Sequence, residues 1–225
     1  MAGPRTRGVA AVVVALAVLA LAGCGDGQRI RLGRHSPSIE VTDDPAVLLL
    51  EAAEFPLAGW NAEPPIDDDP TVDDETGGVC TLELTDVLTP EQRATERGVM
   101  YSSAAQATLI QEYVWVVPSA DDVLTTISAQ LAACAGPYDG TSGDSTVSMV
   151  SEPSSLTMPG ASTSVCRNFS ALVNGTGPLP GTLCLGARGS LLLAMMRTSF
   201  DASVATPEAD FVTVMTAATA KAFGG

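Results

Sequence analysis

Cysteines and carboxylates carry most of the reactive chemistry available in this 225-residue chain, which has five Cys, 26 Asp+Glu and a single histidine, His35. Cys24 stands apart from the other cysteines near the N-terminus. Cys80, Cys134, Cys166 and Cys184 form an even set of the kind that pairs into two disulfides in an exported domain. Three pairings are possible. A zinc site is the rival chemistry, but no two of the four have Cys-x-x-Cys spacing and the one histidine lies far from them. No metal centre and no cofactor are expected. Serine nucleophile chemistry is also poorly supported: Gly140-Thr141-Ser142-Gly143 has the wrong spacing for a nucleophile elbow, and no glycine-rich phosphate loop follows a strand. The carboxylates crowd into the run Asp67, Asp68, Asp69, Asp73, Asp74 and Glu75. Hard cations take such oxygens, but the spacing is not that of an EF-hand and Pro70 interrupts it, so a solvated acidic loop is expected. The chain therefore reads as a non-enzyme. Trp60, Tyr113 and Trp115 are candidate ligand contacts, because aromatic side chains with polar tips suit clefts, and Phe55 joins them as the start of the Phe55–Trp60 segment. The same residue types also fill ordinary cores, and that choice stays open.

The N-terminus carries a different signal. Arg5 and Arg7 precede an apolar run from Val9 to Ala22, which is too short against the roughly 20 residues that span a bilayer. The run closes on Leu21-Ala22-Gly23-Cys24. This resembles the lipobox of bacterial lipoproteins, which implies cleavage before Cys24 and acylation of its thiol. Residues 1–23 are thus read as a signal peptide, 24–44 as a flexible tether and 45–225 as the folded domain. Removing 1–23 takes two arginines, leaving 9 basic and 26 acidic residues, a net of −17. Nucleic acid is excluded as a partner, since no basic footprint remains for a phosphate backbone. Arg29, Arg31 and Arg34 in the tether lie where they can touch anionic headgroups beside a lipid anchor.

Elements that would position these residues follow from periodicity. Asp44-Pro45 reads as an N-cap followed by proline at the first helical position, opening a short helix over 46–54. Thr89-Pro90-Glu91 resembles a second capped turn. Residues 108–117 are β-branched and aromatic, a largely buried strand ended by Pro118. Ser119 then reads as the cap of a helix with the stripe Val123, Leu124, Ile127, Leu131 and Cys134. That places Cys134 where it staples the helix end to the segment starting at Cys80. A short strand over 146–150 is followed by strands over 165–173, 182–187 and 190–198, with 174–181 read as a turn-rich connector. Cys166 and Cys184 would face each other across one antiparallel pair. A final helix starts at Thr206-Pro207 with the stripe Phe211, Val214, Met215, Ala218 and Ala222. The expected class is α+β: an antiparallel sheet with helices packed on it and two disulfides.

Several of these features occur in one order: Glu54-Phe55-Pro56-Leu57-Ala58-Gly59-Trp60, an acidic loop leading to Cys80, a Val/Tyr/Trp strand, a helix finishing in Leu131-Ala132-Ala133-Cys134, strands carrying Cys166 and Cys184, and an Ala-rich terminal helix. Over 45–225 the chain resembles the PknH-like extracellular domain, the outer sensor region of a mycobacterial Ser/Thr kinase that also occurs alone in actinobacterial lipoproteins. The resemblance implies an α+β fold, the sequential disulfides Cys80–Cys134 and Cys166–Cys184, and a ligand-binding cleft. Signalling across a membrane does not carry over, because the sequence has no kinase domain and no spanning helix. The expected function is a lipid-anchored, extracytoplasmic binding or sensor domain that takes a small molecule, lipid or cell-wall fragment. An adaptor holding a protein partner is the alternative, and a hydrolase a remote one.

The lipobox makes a direct prediction. Intact-mass analysis of membrane-extracted protein is expected to show an acylated N-terminal peptide starting at Cys24, and Cys24→Ala is expected to leave the membrane fraction.

Overall fold

The computed structural model describes residues 44–63, 78–81, 84, 87–134, 136–142, 145–201 and 208–224. Cys24, the tether up to 43, the acidic run from Asp67 to Glu75 and the expected Thr206-Pro207 helix start lie outside the described residues.

Among the described residues the chain forms one eight-stranded antiparallel sheet: β1 (Asn61–Glu63), β2 (Arg97–Ser103), β3 (Thr108–Val116), β4 (Tyr138–Ser142), β5 (Ser145–Pro153), β6 (Thr163–Val173), β7 (Thr176–Arg188) and β8 (Leu191–Ser199). Spatial order is β1-β2-β3-β8-β7-β6-β5-β4. Two meanders, β1 to β3 and β4 to β8, therefore meet at the β3–β8 pair. The helices are α1 (Pro90–Arg93), α2 (Ala120–Ala133) and α3 (Glu208–Phe223).

Side-chain alternation on each strand sends consecutive residues to opposite faces, and both faces of the central strands are covered. In β8, Leu192, Ala194 and Met196 join the core under α2, while Leu191, Leu193 and Met195 join the core under α3. A strand buried on both faces needs apolar residues at nearly every position, which is why 191–196 reads as a continuous apolar run. Helix α2 buries Ala120, Leu124, Ile127 and Leu131 and packs on β6, β7 and β8. Helix α3 buries Phe211, Val214, Met215, Ala218 and Ala222, all the stripe residues, and packs on β8. Arg188 donates to the carbonyl of Phe223 at 2.6 Å, satisfying an orphan acceptor at the C-terminal end of α3.

Both disulfides have the sequential pairing. Cys80, in a 3-10 turn over Gly78–Thr81, joins Cys134, the C-cap of α2. Cys166 and Cys184 are directly opposed on β6 and β7, with Cα atoms 4.1 Å apart. In the chain-entropy account, closures of this length are each worth roughly 3–4 kcal/mol.

The structure departs from the sequence reading in several places. The helix expected over 46–54 is a single 3-10 turn, Pro45–Leu48, although Asp44 caps it as expected by accepting from the Ala46 N–H at 3.0 Å. The chain beyond it gives its polar groups to the sheet instead. Ser119 caps α2 with no side-chain hydrogen bond: it sits at φ 56, and its carbonyl accepts from the N–H groups of Asp122 and Val123. The connector 174–181 shrinks to the turn Asn174-Gly175, because β7 already begins at Thr176. Over 176–180 β7 pairs with β6 alone, since β8 joins only at Gly181, so Pro178 and Pro180 occupy edge-like positions where a missing N–H costs no ladder bond. The strand expected over 146–150 runs from Ser145 to Pro153, and β1, β2 and β4 carried no clear sequence signal. β2 begins Arg97-Gly98 because Gly98 underlies the Tyr113 ring, which a Cβ there would meet at 2.6 Å.

Gly181 is tighter still. A Cβ would lie 2.1 Å from the Phe169 ring and 2.5 Å from the Arg197 carbonyl. Gly181→Ala is expected to cost roughly 1–3 kcal/mol or more, the usual penalty of overpacking. Gly189→Ala, at φ +65 in open space, should cost only about 1 kcal/mol. Urea denaturation of the two variants checks the order.

Candidate functional site

Residues 49–60 run as a strap without regular structure across the α3 face of the sheet, and this strap carries two of the four candidate ligand residues. Leu49 and Leu50 are buried, while Phe55, Leu57 and Trp60 are half-buried against the core under α3. A segment with no helix or strand ladder must satisfy its backbone groups otherwise. Leu50 does so through two central-strand side chains: its N–H donates to Glu112 Oε2 at 3.1 Å, and its carbonyl accepts from the Tyr101 hydroxyl at 2.7 Å. Glu51 N–H donates to Glu54 Oε2 at 2.8 Å, and Lys221 of α3 forms an ion pair with the same Glu54 carboxylate. At the start of the strap, Arg97 pairs with Asp44 at 2.9 Å.

These ties fix an aromatic group. The Phe55 ring stacks on Tyr101 with centroids 4.0 Å apart, and Trp60 tilts against Phe55 at 5.5 Å. Phe55 and Trp60 form a half-buried wall over the buried Tyr101, beside a buried carboxylate. Glu112 is 1% exposed, and its Oε1 has no hydrogen-bond partner. Burial pushes its carboxyl up to about 7, partly opposed by the Leu50 N–H and by Lys221, while Glu54 adds to the rise. The Tyr101 hydroxyl is pushed up to about 12 by burial first and then by the neighbouring carboxylates, so it remains a donor. Lys221 and the Glu51 N–H hold Glu54 below the ordinary carboxylate range.

Tyr113 and Trp115 do not belong to this group. Odd-numbered residues of β3 face α2, so the sheet itself separates them from Phe55 and Trp60. Trp115 is buried, donates its indole N–H to the buried Glu96 carboxylate at 2.8 Å and stacks near Tyr113 at 5.9 Å. Tyr113 lies over Gly98 and its hydroxyl accepts from Gln111 at 3.0 Å. One cleft cannot use all four residues. Tyr101, Glu112 and Lys221 take the places beside Phe55 and Trp60. Glu112 did leave a trace in the sequence, as the lone charge within the run 108–117. Tyr101 left none.

Tyr101→Phe removes the hydroxyl that satisfies the Leu50 carbonyl and keeps the ring stack. It should cost about 1 kcal/mol in chemical denaturation. Lys221→Met breaks only a partly exposed ion pair and should cost well under about 1 kcal/mol.

No protein-family model matches the chain, and no curated protein matches it. Among solved structures, the crystal structure of the extracellular domain of PknH from Mycobacterium tuberculosis matches with a TM-score of 0.56 at 13% sequence identity. The match covers 79% of this chain and 94% of that one. At this identity the likeness speaks to the backbone alone, and on that level the chain has a PknH-like fold.

Proposed function

We propose that this protein is an extracytoplasmic lipoprotein, anchored to the cell membrane through acylated Cys24, whose domain over 45–225 is a non-enzymatic binding or sensor module. The observation that carries this reading is a fold shared with the extracellular domain of PknH, joined to an aromatic wall held at the surface by a pinned strap. Two disulfides suit an oxidising compartment. Phe55 and Trp60 border the binding surface, with Tyr101 behind them. Tyr113 and Trp115 serve the other face as core. The chain carries a formal net charge of −15, which repels anions, so the ligand is neutral, cationic or amphiphilic: a small molecule, a lipid or a cell-wall fragment.

A protein-binding adaptor is the second reading. Val150 and Leu172, 50% and 41% exposed, are diagonal neighbours on β5 and β6, on the α3 side of the sheet but away from α3 itself. Exposed apolar pairs of this kind suit a partner surface.

Titration of tryptophan fluorescence against envelope lipid and glycan extracts separates the two. Binding at the strap is expected to shift the Trp60 emission. Trp60→Ala should abolish that shift and weaken binding by about tenfold or more, with the fold retained, since a half-buried aromatic contact is worth on the order of 1–2 kcal/mol. An unchanged emission with every extract favours the adaptor.

A further inference from the structure

Glu112 is the group whose chemistry the binding surface does not use. Its carboxylate lies under the strap, with one oxygen spent on the Leu50 N–H and the other left without a partner in an apolar surround. Directly opposite it in register stand Val99 of β2 and Met195 of β8, neither able to donate. The charged and titratable groups that act on it are Glu54 on the strap, Lys221 on α3 and Tyr101 on β2, while Glu51 on the strap acts on Tyr101. Arg97 on β2 and Arg197 on β8 share its face of the sheet, but Arg97 is held by Asp44 and Arg197 lies over the Phe211 ring and donates to Thr182. Lys221 is the cation that acts on its charge, and it already serves Glu54. An ionised Glu112 therefore has a hydrogen bond to one oxygen only.

We propose that Glu112 is a proton-controlled latch on the strap: the neutral carboxyl lets residues 49–60 lie closed over the sheet, and loss of its proton favours lifting of the strap so that the charge reaches water. The geometry supplies both halves of the device. Leu50 ties the strap to the strands through two hydrogen bonds, and one of the two is to the titrating group. Lifting the strap uncovers Glu112 and at the same time unstacks Phe55 from Tyr101.

The sign follows from linkage. In the closed form the carboxyl is raised from 4.5 to about 7, whereas in the open form it returns toward its ordinary value. The closed form then binds the proton more tightly, so closure is favoured at acid pH and is weakened as pH rises through that window. The opening constant should rise by about two orders of magnitude across it. Glu54 stays ionised throughout, because Lys221 holds it below the ordinary range. The latch needs no ligand, and so it stands or falls apart from the binding reading.

Hydrogen exchange of the full chain, followed in peptides covering 45–60 from about pH 5 to about pH 8 and corrected for intrinsic rates, tests it. Opening of the strap is expected to rise about a hundredfold with pH, while peptides from α2 and β8 show no such step. Glu112→Gln, which stays neutral and still accepts from the Leu50 N–H, should flatten the profile. Tyr101→Phe should raise opening at every pH and keep the step, and Glu54→Gln should also keep it. Should Glu112→Gln fail to fold, the side-chain carboxyl carbon shift of Glu112 in the unaltered chain must titrate with the same midpoint as the exchange step. A flat profile in the unaltered chain, an undiminished step in Glu112→Gln, or a carboxyl midpoint that differs from the exchange midpoint overturns the latch.

Discussion

A wide antiparallel sheet whose central strands are apolar on both faces must be covered twice, and the remaining architecture answers that demand. Ile110, Val114, Leu193 and Met195 point one way from β3 and β8, while Trp115, Leu192, Ala194 and Met196 point the other. Leaving either set in water would forfeit on the order of 1.5–3 kcal/mol for each large side chain. The chain covers the first face with α3 and the strap. It covers the second with α2, which lies in the connection from β3 in the middle of the sheet to β4 at its far edge. The Cys80–Cys134 bridge then secures the 3-10 turn Gly78–Thr81 to the end of that crossing helix.

The two covers differ in kind. On the α2 side the lid is a helix whose backbone is satisfied internally, and the aromatic rings beneath it find room above glycines. Phe169 lies over Gly181, and Tyr113 lies over Gly98. On the α3 side the helix covers the middle of the sheet, and an irregular strap covers ground beside it. A strap has no ladder of its own, so its polar groups must be met by side chains rising from the sheet. That requirement places Glu112 and Tyr101, two polar residues, among the apolar side chains of that face. The buried carboxyl is the cost of holding an irregular segment there, and it makes that segment sensitive to its charge.

Much of this was legible in the chain itself. The stripes of α2 and α3 appeared at helical spacing, and the strand over 190–198 was marked by its apolar run and the turn at Gly189. The capped turn at Thr89-Pro90-Glu91 was likewise visible, and the structure adds the bond that Gln92 returns to the Thr89 N–H. Short strands at the sheet margin were not. β1 and β4 are rich in polar residues and glycine, and pairing rather than propensity makes them strands. Prolines disguised the start of β7, because whether a proline breaks a strand depends on which neighbour is missing at that point.

From the sequence alone came the α+β class, two disulfides, the helical faces and an aromatic-rich candidate set, because period, capping chemistry and cysteine number are local properties; the sequential pairing was what the family resemblance implied. Tertiary structure alone decided which aromatics share a surface. Trp115 and Tyr113 differ from Ile110 and Glu112 only in the parity of their position on β3, and parity has no meaning for the strap until the strap is laid on one face. Residues 46–54 were decided in the same way. Their composition allows a helix, but the Glu112 carboxylate and the Tyr101 hydroxyl offer the Leu50 backbone partners that a helix would have supplied, and those partners come from strands distant in the chain.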